Sequence, residues 1–194
     1  MASFALCLML MGCYSTKTMD SPNPTSYVFN ADIEQIKNSI KQAEANQLRW
    51  YSLYFSDKER DYCDYIFKDS KNVNDVVLHS LKNVESKIYF RCGKPLYYYA
   101  NFHIHLDSIS ENKTQVEIFT LGPEIVVFGI GYWSIGYTQM KKVLPSTIEE
   151  YEILLAIGNQ LGEVGMPKCN YPPEWLKYKA KQQEQIRKQN NKCQ

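Results

Sequence analysis

No long apolar run stands near the start of this chain: Phe4 to Met11 is the candidate, and it is far shorter than the roughly 20 residues that carry a helix across a bilayer. Charge of one sign is equally lacking. The 22 Lys and Arg residues balance 21 Asp and Glu, and a net charge of +1 gives no overall field to draw the protein onto nucleic acid. No CxxC pair and no Cys/His cluster with zinc spacing occurs. No glycine-rich phosphate loop precedes a helix. The segment Tyr132 to Gly136, "YWSIG", puts Tyr132 where a nucleophile elbow needs glycine, so Ser134 reads as an ordinary strand or loop residue. Nothing brings a nucleophile, a base and an orienting group together, and the expectation is a protein that is not an enzyme. Disorder is not expected, because 44% apolar and 13% aromatic residues supply a core.

What is present begins at the N-terminus. Phe4 to Met11 followed by Gly12 and Cys13 has the form of a signal-peptide apolar region and its cleavage site. The tetrad Leu10-Met11-Gly12-Cys13 resembles the lipobox of bacterial lipoproteins. The resemblance covers only this segment. It implies removal of residues 1–12, diacylation of the Cys13 thiol with palmitate-type chains, and a protein held by a lipid anchor in the cell envelope. Tyr14, rather than an aspartate, follows the cysteine, which implies the outer membrane, facing the periplasm or the cell surface. Residues 13–30 are polar and hold two prolines, as a flexible tether would.

Setting aside Cys7 and Cys13 leaves Cys63, Cys92, Cys169 and Cys193, which allow three pairings. Cys63 with Cys92 is the favoured pair if any forms, because Cys193 stands near a polar terminus.

The rest, 31–166, reads as one globular α+β domain. Asp32 caps a helix with Gln35 three residues on, and Ile33, Ile36, Ile40 and Ala43 recur on one face to about Leu48. Tyr51, Leu53 and Phe55 alternate as a strand or irregular segment would. Asn74 offers an N-cap for a short helix, Asp75 to Asn83, burying Val76, Val77 and Leu81, with His79 at the boundary. A second strong helix starts at Ser146 with Glu149 as its capping-box partner. It buries Ile148, Tyr151, Leu154, Leu155, Gly158 and Leu161 over the even-numbered side of the sheet, and ends near Gly162 or Gly165.

Between those helices the expectation is a four-stranded antiparallel meander. From Ile88 to Leu106 the apolar residues all carry even numbers, so the connecting loop must preserve parity, and a three-residue loop Gly93-Lys94-Pro95 does so. The same test on Val116 and Ile118 requires an odd loop near Ser110 to Lys113. Three residues oppose Asp107 to Glu117, while five oppose His105 to Glu117 and His103 to Phe119; the second avoids facing carboxylates. A turn at Gly122-Pro123 leads to a last strand, Ile125 to Trp133, apolar on both faces. Phe119, Val126, Phe128 and Ile130 therefore need cover on the side away from the main core.

The odd-numbered face carries Tyr89, Tyr97, Tyr99, His103 and His105, large amphipathic side chains suited to binding another protein. From 167 to 194 the chain reads as a basic, polar C-terminal helix in which Trp175 and Tyr178 serve as anchors for a partner. The leading expectation is a non-catalytic envelope lipoprotein with a protein partner, of immunity or assembly-accessory type, and no cofactor. The alternative is a metal- or small-ligand-binding protein using His103, His105 and Glu117, since two imidazoles and a carboxylate suit a divalent transition ion.

Overall fold

A computed structural model describes residues 14–46, 51–55, 75–80, 84–129 and 137–190. The signal-peptide and lipobox residues, with Cys13, Cys63, Ser134 and Cys193, lie outside that set. The strands are β1 (Ser15–Thr16), β2 (Ser26–Phe29), β3 (Tyr51–Phe55), β4 (Val76–Ser80), β5 (Val84–Arg91), β6 (Lys94–Ser110), β7 (Lys113–Gly129) and β8 (Tyr137–Lys142); the helices are α1 (Ile33–Asn46), α2 (Ile148–Leu161) and α3 (Pro173–Asn190). Mixed helix and antiparallel sheet is thus the architecture.

The sheet is larger than a four-stranded meander. β6 and β7 are 17 residues each, long enough to take different neighbours along one edge. β6 pairs with β5 through its first part and with β4 through its middle, while β7 pairs with β2 near its start and β8 near its end. β1 extends β5, and β3 extends β4.

Two expected features change form. The turn at Gly122-Pro123 is instead a bulge inside continuous β7: Asn101 pairs with Leu121 and Tyr99 with Glu124, so two residues stand opposite Ala100. Gly122 has φ +56, the left-handed value such a bulge demands. The extra residue switches the inward parity from Val116 and Ile118 before it to Ile125 and Val127 after it, all of them in the core. The loop after β5 is a two-residue turn, Cys92-Gly93, not three residues. Both take positive φ, the twist that suits a tight hairpin, and a register shift between Glu85 and Phe90 restores the pairing.

Within the helix expected over Asp75 to Asn83, Val76–Ser80 is β4, while Leu81 to Asn83 lie outside the described residues. Val76 and Val77 are β-branched and fill a stretch of β6 edge, pairing with Ile104 and His103, that β5 does not reach. The polar stretch 14–30 is not a tether from Tyr14 onward. Ser15 and Thr16 pair with Phe90 and Tyr89, β2 pairs with β7, and Phe29 is fully buried. Asn23, also buried, accepts from the Asn170 N–H at 2.7 Å and donates to the Asn170 carbonyl at 2.9 Å.

α1 starts as its sequence reads: the Gln35 N–H donates to Asp32 Oδ1 at 2.8 Å and the Asp32 N–H to Gln35 Oε1 at 3.0 Å. Ile36, Ile40 and Ala43 lie in the core. At α2 the N-cap is Thr147, left-handed at φ +63 and without a side-chain capping bond, so the capping box expected from Ser146 is not formed; the Ser146 hydroxyl, one residue earlier, bonds the Glu149 carboxylate and accepts from the Ile148 N–H. α2 is buried nearly all round, Ile153, Ala156 and Ile157 included, because α1, β2 and β7 all pack on it. It ends at Gly162, φ +70, as expected.

The bulge gives a test. Nothing stands within 4 Å of a Cβ placed at Gly122, so substitution there strains only the backbone. Gly122→Ala should cost about 1 kcal/mol in urea unfolding and Gly122→Asn clearly less, since asparagine tolerates the left-handed region.

Candidate functional site

β6 turns its even residues inward and its odd ones outward. The outer face continues across the ladder: His103 pairs with Phe119, Gln115 with Val28, and Val126 with Met140. At one spot this face is polar and closed. Asp75, just before β4, takes His105 Nδ1 on Oδ1 at 2.9 Å and His103 Nε2 on Oδ2 at 3.2 Å. The Asp75 and His103 side chains are buried, while that of His105 is about one third exposed (34%). Burial pushes the Asp75 carboxyl up, but hydrogen bonds from both imidazoles and their charge outweigh it, leaving it below the ordinary 3.8.

The two histidines are thus brought together, with Asp75 rather than Glu117. Glu117 stands across from His105 in the ladder, in the five-residue register, while the His105 ring turns to Asp75. Among the described residues no group of three His, Cys, Asp or Glu side chains is arranged to hold a metal ion. Sequence reading missed Asp75 because it assigned that segment to a helix. Once Val76 and Val77 are placed in a strand opposite Ile104 and His103, the register alone sets Asp75 beside His105.

The other expected binding residues divide. Tyr97 is exposed (38%) and Tyr99 half-buried on the outer face. Tyr89 is buried, its hydroxyl donating to the Leu144 carbonyl at 2.7 Å, because the β5 register shift turns it inward. Trp175 and Tyr178 anchor α3 to this chain rather than reaching out. Trp175 is buried, Tyr178 packs edge-on against Phe90, and its hydroxyl donates to Glu85 Oε1 at 2.7 Å. The expected partner arm is therefore a helix docked over β5, because those two rings are the apolar surface available to hold it.

Two residues not counted as binding residues share the outer face with Tyr97. Phe119 (40%) and Met140 (43%) are exposed on the outer face. The register pairing Tyr98 with Ile125 brings Tyr97 alongside Val126, which pairs with Met140, so one row crosses three strands. Tyr99 and Leu121 lie between this row and Phe119. Phe119 was legible from the strand parity as a residue needing cover. Met140 was not, because β8 was not anticipated.

Further charged groups sit on the helix side. Lys87 lies between Glu149 (3.3 Å) and Glu152 (2.9 Å), and Tyr171 donates to Glu152 at 2.8 Å, tying β5 to α2 and to the segment after it. The Cys169 thiol, nearby, is pushed up to about 11, mainly by burial, and so stays protonated and unreactive near neutral pH. Cys92 is an exposed free thiol at the hairpin turn, and its proposed partner Cys63 lies outside the described residues. Glu150 is buried, accepts from the Thr120 hydroxyl, and leaves Oε2 without a partner among the described residues. Burial pushes its carboxyl up, with Glu149 adding to the rise.

No helix among the described residues is long and apolar enough to cross a membrane. Comparison with protein-family models, with curated proteins and with solved structures gives no match for this chain.

Asp75 and Glu150 respond to pH in opposite senses. The Asp75 contribution is present above its ordinary value of 3.8 and lost as pH falls through its lower folded value. Asp75→Asn should cost about 3 kcal/mol at pH 7, as breaking a buried pair does, and should flatten that acid limb in pH-dependent denaturation. Glu150 opposes folding once pH rises past its ordinary 4.5 towards its raised folded value. Glu150→Gln should therefore raise stability at pH 7 by about 1 kcal/mol or more and leave it unchanged well below pH 4.5.

Proposed function

We propose that the chain is a non-catalytic, membrane-anchored lipoprotein of the cell envelope that binds another protein through the outer face of its sheet. The observation that carries the binding half is the set of exposed side chains Tyr97, Met140 and Phe119 on the face away from α1 and α2, with Val126 buried between Tyr97 and Met140. Aromatic and methionine side chains are the ones interface cores favour, since they bury much area at little entropic cost. The anchoring half is supported by the lipobox-like Leu10-Met11-Gly12-Cys13. The non-catalytic reading fits two imidazoles locked on the Asp75 carboxylate and, separately on the helix side, a half-buried Cys169 thiol that stays protonated. Toxin immunity and envelope assembly both use a protein that holds a partner without chemistry.

Site-specific photo-crosslinking in the host tests this reading. A crosslinker at Phe119 or Met140 should trap one and the same protein species, and one at exposed Glu111, on the hairpin tip, should not. Tyr97→Ala should lower the yield about tenfold, the effect of an interface anchor worth roughly 1.4 kcal/mol. Absence of a discrete adduct from the face, or the same adduct from Glu111, would end the proposal.

A further inference from the structure

The chain enters the described fold at Tyr14, whose ring stands edge-on to Tyr89 with centroids 5.8 Å apart. The Tyr89 hydroxyl donates to the Leu144 carbonyl and accepts from its N–H, so Tyr14 and Leu144 share one end of the domain. Leu144 is 78% exposed there, and Lys142 beside it is exposed too. Lys17, three residues after Tyr14, pairs with Glu174 at 3.5 Å, which brings the first turn of α3 to the same end. That turn carries exposed Leu176 and Lys177.

α3 has five basic residues against two acidic ones. Trp175, Tyr178 and Gln182 face the sheet side, where Tyr178 bonds Glu85 and Gln182 bonds Tyr178. At about 100° per residue the opposite face carries Leu176, Lys177, Glu184, Arg187 and Lys188, with Lys181 at its edge and Lys188 paired to Glu184 at 2.6 Å. Scattered exposed leucines are ordinary. Here two of them, with lysines beside them, flank the place where the chain leaves the described fold, one residue after Cys13.

We infer that this end lies against a phospholipid surface. Leu144 and Leu176 reach headgroup level, and Lys142, Lys177 and Lys181 meet anionic headgroups. The inference rests on the lipoprotein reading, in which an acylated Cys13 brings this end to the bilayer. With β1 beginning at Ser15, the anchor leaves little slack, and the domain is held close to the membrane rather than swinging on a tether.

The test uses the full chain carrying Cys13→Ser, which cannot be acylated, with vesicles of phosphatidylglycerol in phosphatidylethanolamine and vesicles of phosphatidylcholine. Sedimentation should favour the anionic vesicles by about tenfold at low salt and lose that preference as salt rises. Leu144→Asp, and Lys177→Glu with Lys181→Glu, in the same background keep the first twelve residues. Each should reduce anionic-vesicle binding at least about fivefold with an unchanged melting temperature. No preference for anionic vesicles, or a preference that survives both changes, would overturn the inference. Acyl mass on Cys13 of the wild-type chain separates the two readings. An acylated chain whose Cys13→Ser form ignores anionic vesicles keeps the anchor and loses this contact; vesicle binding without acylation does the reverse.

Discussion

One register governs both faces of this protein: Ile104 against Ile118 and His105 against Glu117, carried along two 17-residue strands. A slip of one residue would turn Phe102, Ile104 and Leu106 out of the core and His103 and His105 into it. Burial of that even-numbered row beneath α1 and α2 is worth several times the roughly 1 kcal/mol of any single cross-strand pair, so the core sets the register and the outer face follows. The bulge at Gly122 then lets β7 keep an apolar inner face beyond the point where strict alternation would fail. Without it, Ile125 and Val127 would face outward and Val126 inward.

The polar groups on the two sides reflect what each location allows. On the outer face, Asp75 is tolerated under cover because two imidazoles satisfy both of its oxygens, and it fixes β4 on β6. On the helix side, Lys87 holds Glu149 and Glu152 between β5 and α2. Glu150 is the exception, a buried carboxyl with one satisfied oxygen among the described residues. Neutral for part of the pH range, it limits stability where the other pairs support it.

Much of this was legible in the residues. Asp32 with Gln35, the 3.6-residue recurrence of Ile36, Ile40 and Ala43, and Gly162 at the end of α2 all act locally, and local signals survive folding. The even-numbered row followed from parity, which any two-faced sheet must obey, and the five-residue register from parity together with the repulsion of facing carboxylates. What failed depended on distant partners. Val76 and Val77 read as helical until an open stretch of β6 edge claims them, and Gly122-Pro123 reads as a turn until a neighbouring strand runs past it. Glu149 and Glu150 suit the start of an exposed helix, and nothing nearby in sequence announces Lys87 or Thr120 as their buried partners. The residues of the outer face divided for the same reason: Tyr89 and Trp175 look like their neighbours in sequence and differ only in what packs over them.

The two proposals rest on different parts of the domain, the partner reading on exposed Tyr97, Phe119 and Met140 and the membrane reading on an entry point at Tyr14 close to exposed Leu144, Leu176 and lysines. Both readings assume that the chain reaches its place by processing at Gly12-Cys13. The intact mass of the protein purified from its own host tests that assumption directly. The account predicts a chain that lacks residues 1–12 and carries acyl mass on Cys13; a chain that still begins at Met1, or one with an unmodified thiol at Cys13, would contradict it.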